Sequence, residues 1–247
     1  MNDSKITKRH DVEKPIDEIG SLDDQFEDLM FAAEHSRTAM QRVALCVDAT
    51  SSMGGVWALA KDALKQAVDE IHKRSSIPVE ICVVAYRDHT DDPPEYVVEA
   101  SDWSADSHYL HDFIGKMRCH GGGDYPESIG HGLAFLLKDQ AKQQGNPISQ
   151  VILIGDAPSK HGSLGYVEAQ TFGLQKCPVY ALYTNDVEGL VECFQKLARL
   201  SGGKAFHLRS LSDMAEIFTI LLAKNPALQI EYTPTSAEGK RLVEAMK

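Results

Sequence analysis

From Gln41 onward, apolar and polar positions alternate between two rhythms. Val43, Ala44, Leu45, Cys46 and Val47 form an unbroken apolar run that stops at Asp48, the pattern of a central strand buried on both faces. Val56, Leu59, Ala60, Leu64, Ala67, Val68 and Ile71 then recur at helical spacing. Residues 78–86 give a second strand and residues 95–100 a short third one. The charged, proline-bearing loop between them is shorter than the dozen or so residues a parallel crossover needs, so the third strand should run antiparallel. Helical patterns follow over 109–117, 127–140, 187–200 and 211–222, and strands over 151–156, 178–183 and 203–208.

This alternation predicts an α/β fold. The expected architecture is a doubly wound, mostly parallel six-stranded sheet with one antiparallel edge strand and helices on both faces. Residues 41–224 would form that domain. Residues 1–40 form an extension in which Leu22, Phe26, Met30 and Ala33 share one face of a predicted helix. The tail, 225–247, places Leu228, Ile230 and Tyr232 in strand-like alternation, followed by a short helix over 237–246.

Composition narrows the function classes. Hydrophobic residues make up 43% of the chain, enough for a sizeable core, and the net charge is −11. Paired basic residues occur only as isolated doublets such as Lys8 with Arg9 and Lys73 with Arg74. Nucleic-acid affinity depends on Lys and Arg displacing condensed counterions, so no nucleic-acid partner is expected. No apolar stretch reaches the roughly 20 residues of a membrane helix, and the first residues lack a signal-peptide core. Five cysteines without a CxxC pair fit buried thiols in a reducing cytoplasm.

Candidate chemistry gathers where strands end. In open parallel sheets ligands bind outside the carboxyl ends of the strands, near the point where strand order reverses. Asp48 and Asp156 each close a strong apolar run, and Asp48 is followed by Thr50 and Ser52 at i+2 and i+4. Carboxylates and hydroxyls without imidazole or thiolate suit Mg²⁺, with Mn²⁺ or Ca²⁺ as alternatives, over zinc. A Ser/Thr-rich helix start is also ordinary capping chemistry, and spacing alone leaves both readings open.

The segment from Val43 to Met53, with Asp48-x-Thr50-x-Ser52, resembles the metal-ion-dependent adhesion site of von Willebrand factor type A domains. The resemblance extends, in order and spacing, through Gly122, Gly123 and Asp124 to Asp156. The segment Val84 to His89 is similar to intracellular A domains, including those attached to alpha-kinases. The resemblance implies that Thr50 and Ser52 ligate through their hydroxyls. Asp48 and Asp156 would act directly or through water, and Asp124 would occupy the third-loop position. Integrin-type sites have Thr where this chain has Asp124, and Glu127 is a rival ligand from the same loop. Arg87, His89 and Glu127 are the candidates for a partner-binding rim, with Arg87 or His89 meeting acidic groups of the partner, a solvated turn being the other reading of the 87–92 loop.

Motifs of phosphate loops, dinucleotide folds, zinc proteases and nucleophile elbows are missing. Asp48-x-Thr50 also lacks the second aspartate of haloacid dehalogenase-type phosphatases. The expectation is therefore a non-enzymatic, cytoplasmic adaptor whose cation accepts an acidic residue of a protein partner. The resemblance suggests an AAA+ ATPase or a kinase or phosphatase as that partner, in a bacterial stress or defence setting. Two alternatives stay open: an assembly module whose metal site is filled internally, and a Mg²⁺-dependent phosphohydrolase.

Overall fold

The structure is a computed structural model and describes residues 40–88, 97–122, 127–142, 146–159, 165–187, 189–209 and 213–247. The helix expected within 1–40 lies outside the described residues. Strand β1 (Gln41–Asp48) leads through a 3-10 turn (Ser51–Gly55) into α1 (Trp57–Arg74). The chain continues through β2 (Val79–Tyr86), β3 (Val98–Ala100), α2 (Ser107–Lys116), α3 (Ile129–Lys142) and β4 (Ile148–Gly155). It ends with α4 (Tyr166–Leu174), β5 (Val179–Tyr183), α5 (Leu190–Ser201), β6 (Ala205–His207), α6 (Met214–Leu222) and α7 (Ala237–Ala245).

The six strands lie in the order β3-β2-β1-β4-β5-β6, with only the β2–β3 pair antiparallel. The mostly parallel sheet with one antiparallel edge strand is thus as its pattern predicts. Side chains alternate across β1. Val43, Leu45 and Val47 face the layer holding α1 and α6, whereas Ala44 and Cys46 face the layer that includes Leu133 and Phe194. Both faces are covered, which explains why the strand reads as an unbroken apolar run. Helix α1 buries Trp57, Ala60, Leu64, Ala67, Val68 and Ile71 on one stripe. Asp106 caps α2 by accepting from the amides of His108 and Tyr109, and Gly202, left-handed at φ 81°, closes α5.

Two elements differ from expectation. Helix α4 carries no periodic signal because it buries only Ala169 and Phe172, while Val167 and Leu174 are exposed on its outside. The predicted strand after residue 225 is not formed. A short 3-10 turn (Pro226–Leu228) gives way to Gln229 in the left-handed region at φ 51°, which breaks an extended run. Leu228 and Ile230 are buried in the α1–α6 core layer. Tyr232 instead donates its hydroxyl to Glu216 at 3.0 Å. Among the described residues, no helix is long and apolar enough to cross a membrane.

Candidate metal centre

Strand order places a gap at the carboxyl ends of β1 and β4. From β1 the chain crosses to β2 on one side, and from β4 it crosses to β5 on the other. The two loops therefore diverge above the sheet and leave a crevice between them. Asp48 closes β1 on one wall of the crevice, and Asp156 follows β4 on the other.

The segment after β1 folds back on its own carboxylate. Oδ1 of Asp48 accepts the Thr50 amide at 2.9 Å and the Thr50 hydroxyl at 2.7 Å. Ser52 donates its hydroxyl to Oδ1 of Asp156 at 3.0 Å, and the two hydroxyl oxygens lie 2.9 Å apart. Three contacts thus share two hydroxyl protons. With one proton directed to each carboxylate, none remains for the contact between Thr50 and Ser52. Thr50 is the N-cap residue of the 3-10 turn, yet its side chain makes no capping hydrogen bond. The structure therefore answers the capping alternative for Thr50: its hydroxyl serves the carboxylate and not the helix end.

Burial sharpens the electrostatics. Asp48 and Thr50 are fully buried, whereas Ser52 is exposed and Asp156 is half-buried. Oδ2 of Asp48 is buried without a hydrogen-bond partner. Burial pushes the Asp48 carboxyl up to about 7, and the charge of Asp156 adds to the rise. Hydrogen bonds from Thr50 hold it back. A buried carboxylate with one unanswered oxygen, facing a second carboxylate, costs free energy that a hard cation would offset. The donor set of two carboxylates and two hydroxyls fits such an ion. Among the described residues no group of three His, Cys, Asp or Glu side chains gathers for a metal.

Backbone contacts fix the loops around this cluster. Ala49 donates to the Tyr86 carbonyl at 2.9 Å, Ser51 to Gly121 at 3.1 Å, and His120 to Ala49 at 3.0 Å. The thiol of Cys119 donates to the Thr50 carbonyl, and Asn185 donates its side-chain amide to the Asp156 carbonyl at 3.1 Å. Two glycines permit close approach. A Cβ at Gly155 would lie 2.3 Å from the Tyr86 hydroxyl and 3.4 Å from Oδ2 of Asp48. At Gly122, whose φ is +80°, it would lie 2.9 Å from Cβ of Thr50 and 3.0 Å from Oε1 of Glu127. Tyr86 spans beneath the site and donates to the Ile154 carbonyl at 3.0 Å.

Asp48, Thr50, Ser52 and Asp156 are thus brought together in one hydrogen-bonded chain. Asp124 and His89 lie outside the described residues. Glu127 is nearly fully buried and approaches Thr50 across Gly122. Arg87 corrects the expectation of an exposed rim. Its side chain is buried, and Nη2 donates to Glu99 at 2.7 Å and to the Arg118 carbonyl at 2.8 Å. Its position directly after β2 puts it inside the loop base, where a buried guanidinium needs a partner. Sequence reasoning did not single out Tyr86, Asn185 or Cys119. Gly155, immediately before Asp156, was the one local signal of a close approach beneath the site.

A family model described as von Willebrand factor A domain matches residues 42–210. A protein of Acanthamoeba polyphaga mimivirus, named as an ariadne-like RING finger protein R811, is 35% identical over 195 residues. That match covers 71% of this chain but only 19% of the viral protein, so the chain corresponds to a small part of that relative. A von Willebrand factor type A structure from Catenulispora acidiphila superposes with a TM-score of 0.58 at 17% identity, covering 73% of this chain and 41% of that one. Proximal thread matrix protein 1 from the mussel byssus, described with a zinc-occupied MIDAS motif, gives 0.57 at 17% identity, covering 74% and 47%. At such identities the structural likeness establishes the fold.

Proposed function

Because the chain belongs to the von Willebrand factor A domain family, we propose that it is a protein-binding module that holds a divalent cation between the ends of β1 and β4. The observation that carries this reading is the buried, unpartnered Oδ2 of Asp48 beside the Thr50–Ser52 hydroxyl pair. Thr50 and Ser52 would hold the ion through their hydroxyls. Asp48 and Asp156 would balance its charge directly or through water, with Asp124 as the third-loop ligand. Mg²⁺ is the ion we favour, because every donor is a hard oxygen. The zinc described for the mussel protein makes Zn²⁺ the necessary comparison.

When bound, the ion supplies a positive charge that an acidic side chain of a partner can complete. The protein's own residues set the conditions for that contact. Tyr86 and Gly155 keep Asp48 dry beneath the site, and exposed Ser52 marks the open side. The viral relative's name places a RING finger in a much longer chain, which supports a recognition module working for other machinery. An AAA+ ATPase, or a kinase or phosphatase, would be served in the same way. The five free cysteines support a cytoplasmic setting. We infer no catalytic role, because the described side chains of the cluster, Asp48, Thr50, Ser52 and Asp156, are engaged with one another as the set that would hold the ion.

A second reading is favoured by the approach of Glu127 to Thr50 across Gly122. In it Glu127 fills the remaining position from within, and the ion only stabilises the loops. Affinity capture separates the two. Wild-type protein and Ser52→Ala are compared as bait in Mg²⁺ and in EDTA. Partners released by EDTA and missing from Ser52→Ala support metal-dependent recognition. Partners retained in both, with the bait still folded, point to the structural role.

A further inference from the structure

At the far edge of the sheet, β6 pairs with β5 on one side only. Ala181 donates to the Lys204 carbonyl at 3.1 Å, and Leu208 donates to the Tyr183 carbonyl at 2.8 Å. Alternate residues of a parallel strand face the same neighbour. Ala205 and His207, which lie between those positions, therefore turn their backbone groups outward. Arg241 confirms the direction by donating to the His207 carbonyl from that side at 2.8 Å. The parallel register of β5 with β6 turns the amide and carbonyl of Ala205 and the amide of His207 away from β5, and both residues are partly exposed.

This edge borders a cavity of about 500 Å³ whose lining includes Arg199, Lys204, Arg209 and Arg241. In a chain of net charge −11, four cations around one groove are a local inversion of sign. Arg241 is paired with Glu238, but Arg199, Lys204 and Arg209 are exposed and form no ion pair among the described residues. Asp186, which also lines the cavity, is held by His207 at 3.0 Å.

We propose that the outer edge of β6 takes up an extended acidic segment of a partner protein as an added strand. The segment's backbone pairs with Ala205 and with the His207 amide, the His207 carbonyl being taken by Arg241, and its carboxylates meet Arg199, Lys204 and Arg209. Strand addition gives affinity through main-chain hydrogen bonds and specificity through the flanking side chains. A peptide answers the edge with both donors and acceptors. A phosphate offers mainly acceptors and leaves the Ala205 carbonyl unanswered. The same cations discourage a second β6 edge from pairing with this one, because like charges would face each other. This surface works independently of the cation site.

The test uses the full chain, ¹⁵N-labelled, and a capped peptide of alternating glutamate and valine. Amide exchange is followed by NMR and affinity by fluorescence anisotropy. We expect exchange at Ala205 and His207 to slow by about tenfold or more on binding. Joint Arg199→Glu and Arg209→Glu substitution should weaken binding at least about tenfold without lowering Tm, since both side chains are exposed. Asp48→Ala should leave peptide affinity unchanged. The same peptide N-methylated at every residue should not bind. The proposal is overturned if the peptide does not bind. It is equally overturned if the N-methylated peptide or a DNA oligonucleotide binds as well with exchange at Ala205 and His207 unaltered.

Discussion

Thr50 holds Asp48 by two hydrogen bonds to a single carboxylate oxygen, one from its amide at 2.9 Å and one from its hydroxyl at 2.7 Å. That grip orients the carboxylate and leaves Oδ2 buried without a partner. The arrangement is costly to an ion-free fold and useful to a cation-binding one, and two predictions follow from that tension.

Replacing Asp48 with Asn removes the charge while keeping the shape. In cation-free protein at pH 8 the Asp48→Asn variant should be more stable than wild type, by on the order of 2 kcal/mol. For a domain of this size that raises Tm by roughly 5 °C. Millimolar Mg²⁺ should raise the Tm of wild type and leave the variant unmoved. Thermal melts with and without EDTA check both statements.

The pH dependence has a definite sign. The folded Asp48 carboxyl titrates at about 7, against an ordinary value of 3.8. Between these values the folded state binds the extra proton, so the contribution of this group to stability rises as pH falls from about 7 toward about 4. Cation-free wild type should show that rise, and Asp48→Asn should lack it. Saturating Mg²⁺ should suppress it, because the ion favours the ionised carboxylate. Urea melts across this pH range read the slope directly.

Glu216 clasps the C-terminal segment. Its carboxylate accepts the Tyr232 hydroxyl at 3.0 Å, the Thr235 hydroxyl at 2.9 Å and the Ser236 amide at 3.1 Å. Burial alone would raise its pKa, but hydrogen bonds from Ser236, Thr235 and Tyr232 outweigh it and hold the group down at about 2. The resulting stability is present above about 4.5 and is lost as pH falls toward 2. Glu216→Gln should cost about 1–3 kcal/mol and speed amide exchange in α7 while sparing β1.

How much of this was legible in the sequence depends on the kind of signal. β1, β2 and β4 are buried on both faces, so their apolar runs stood out, and Asp48 and Asp156 were conspicuous because each ended such a run. Helix α4 was not visible, since exposed Val167 and Leu174 erase the polar face that a periodic reading needs. The tail misled for a related reason. Leu228, Ile230 and Tyr232 alternate because separate side chains reach the core and Glu216, not because a strand pairs there. Arg87 looked like a rim cation, and only the fold shows Glu99 positioned to take it inward.

Gly155 tests the packing beneath the site. With its absent Cβ only 2.3 Å from the Tyr86 hydroxyl, Gly155→Ala must displace that ring or the strand. The expected cost is about 1–3 kcal/mol, together with weaker cation affinity because Asp48 is disturbed in turn. Phe at position 86 in place of Tyr, combined with Gly155→Ala, should recover part of the stability, as measured by urea melts.

The most direct test of the central claim is calorimetric titration of Mg²⁺, Mn²⁺ and Zn²⁺ into metal-stripped protein, comparing wild type with Asp48→Ala and Asp124→Ala. One-site binding in wild type, abolished by Asp48→Ala and weakened by Asp124→Ala, is the predicted result. Wild type that takes up none of these ions at millimolar concentration, or Asp48→Ala that binds them as well as wild type, would contradict it.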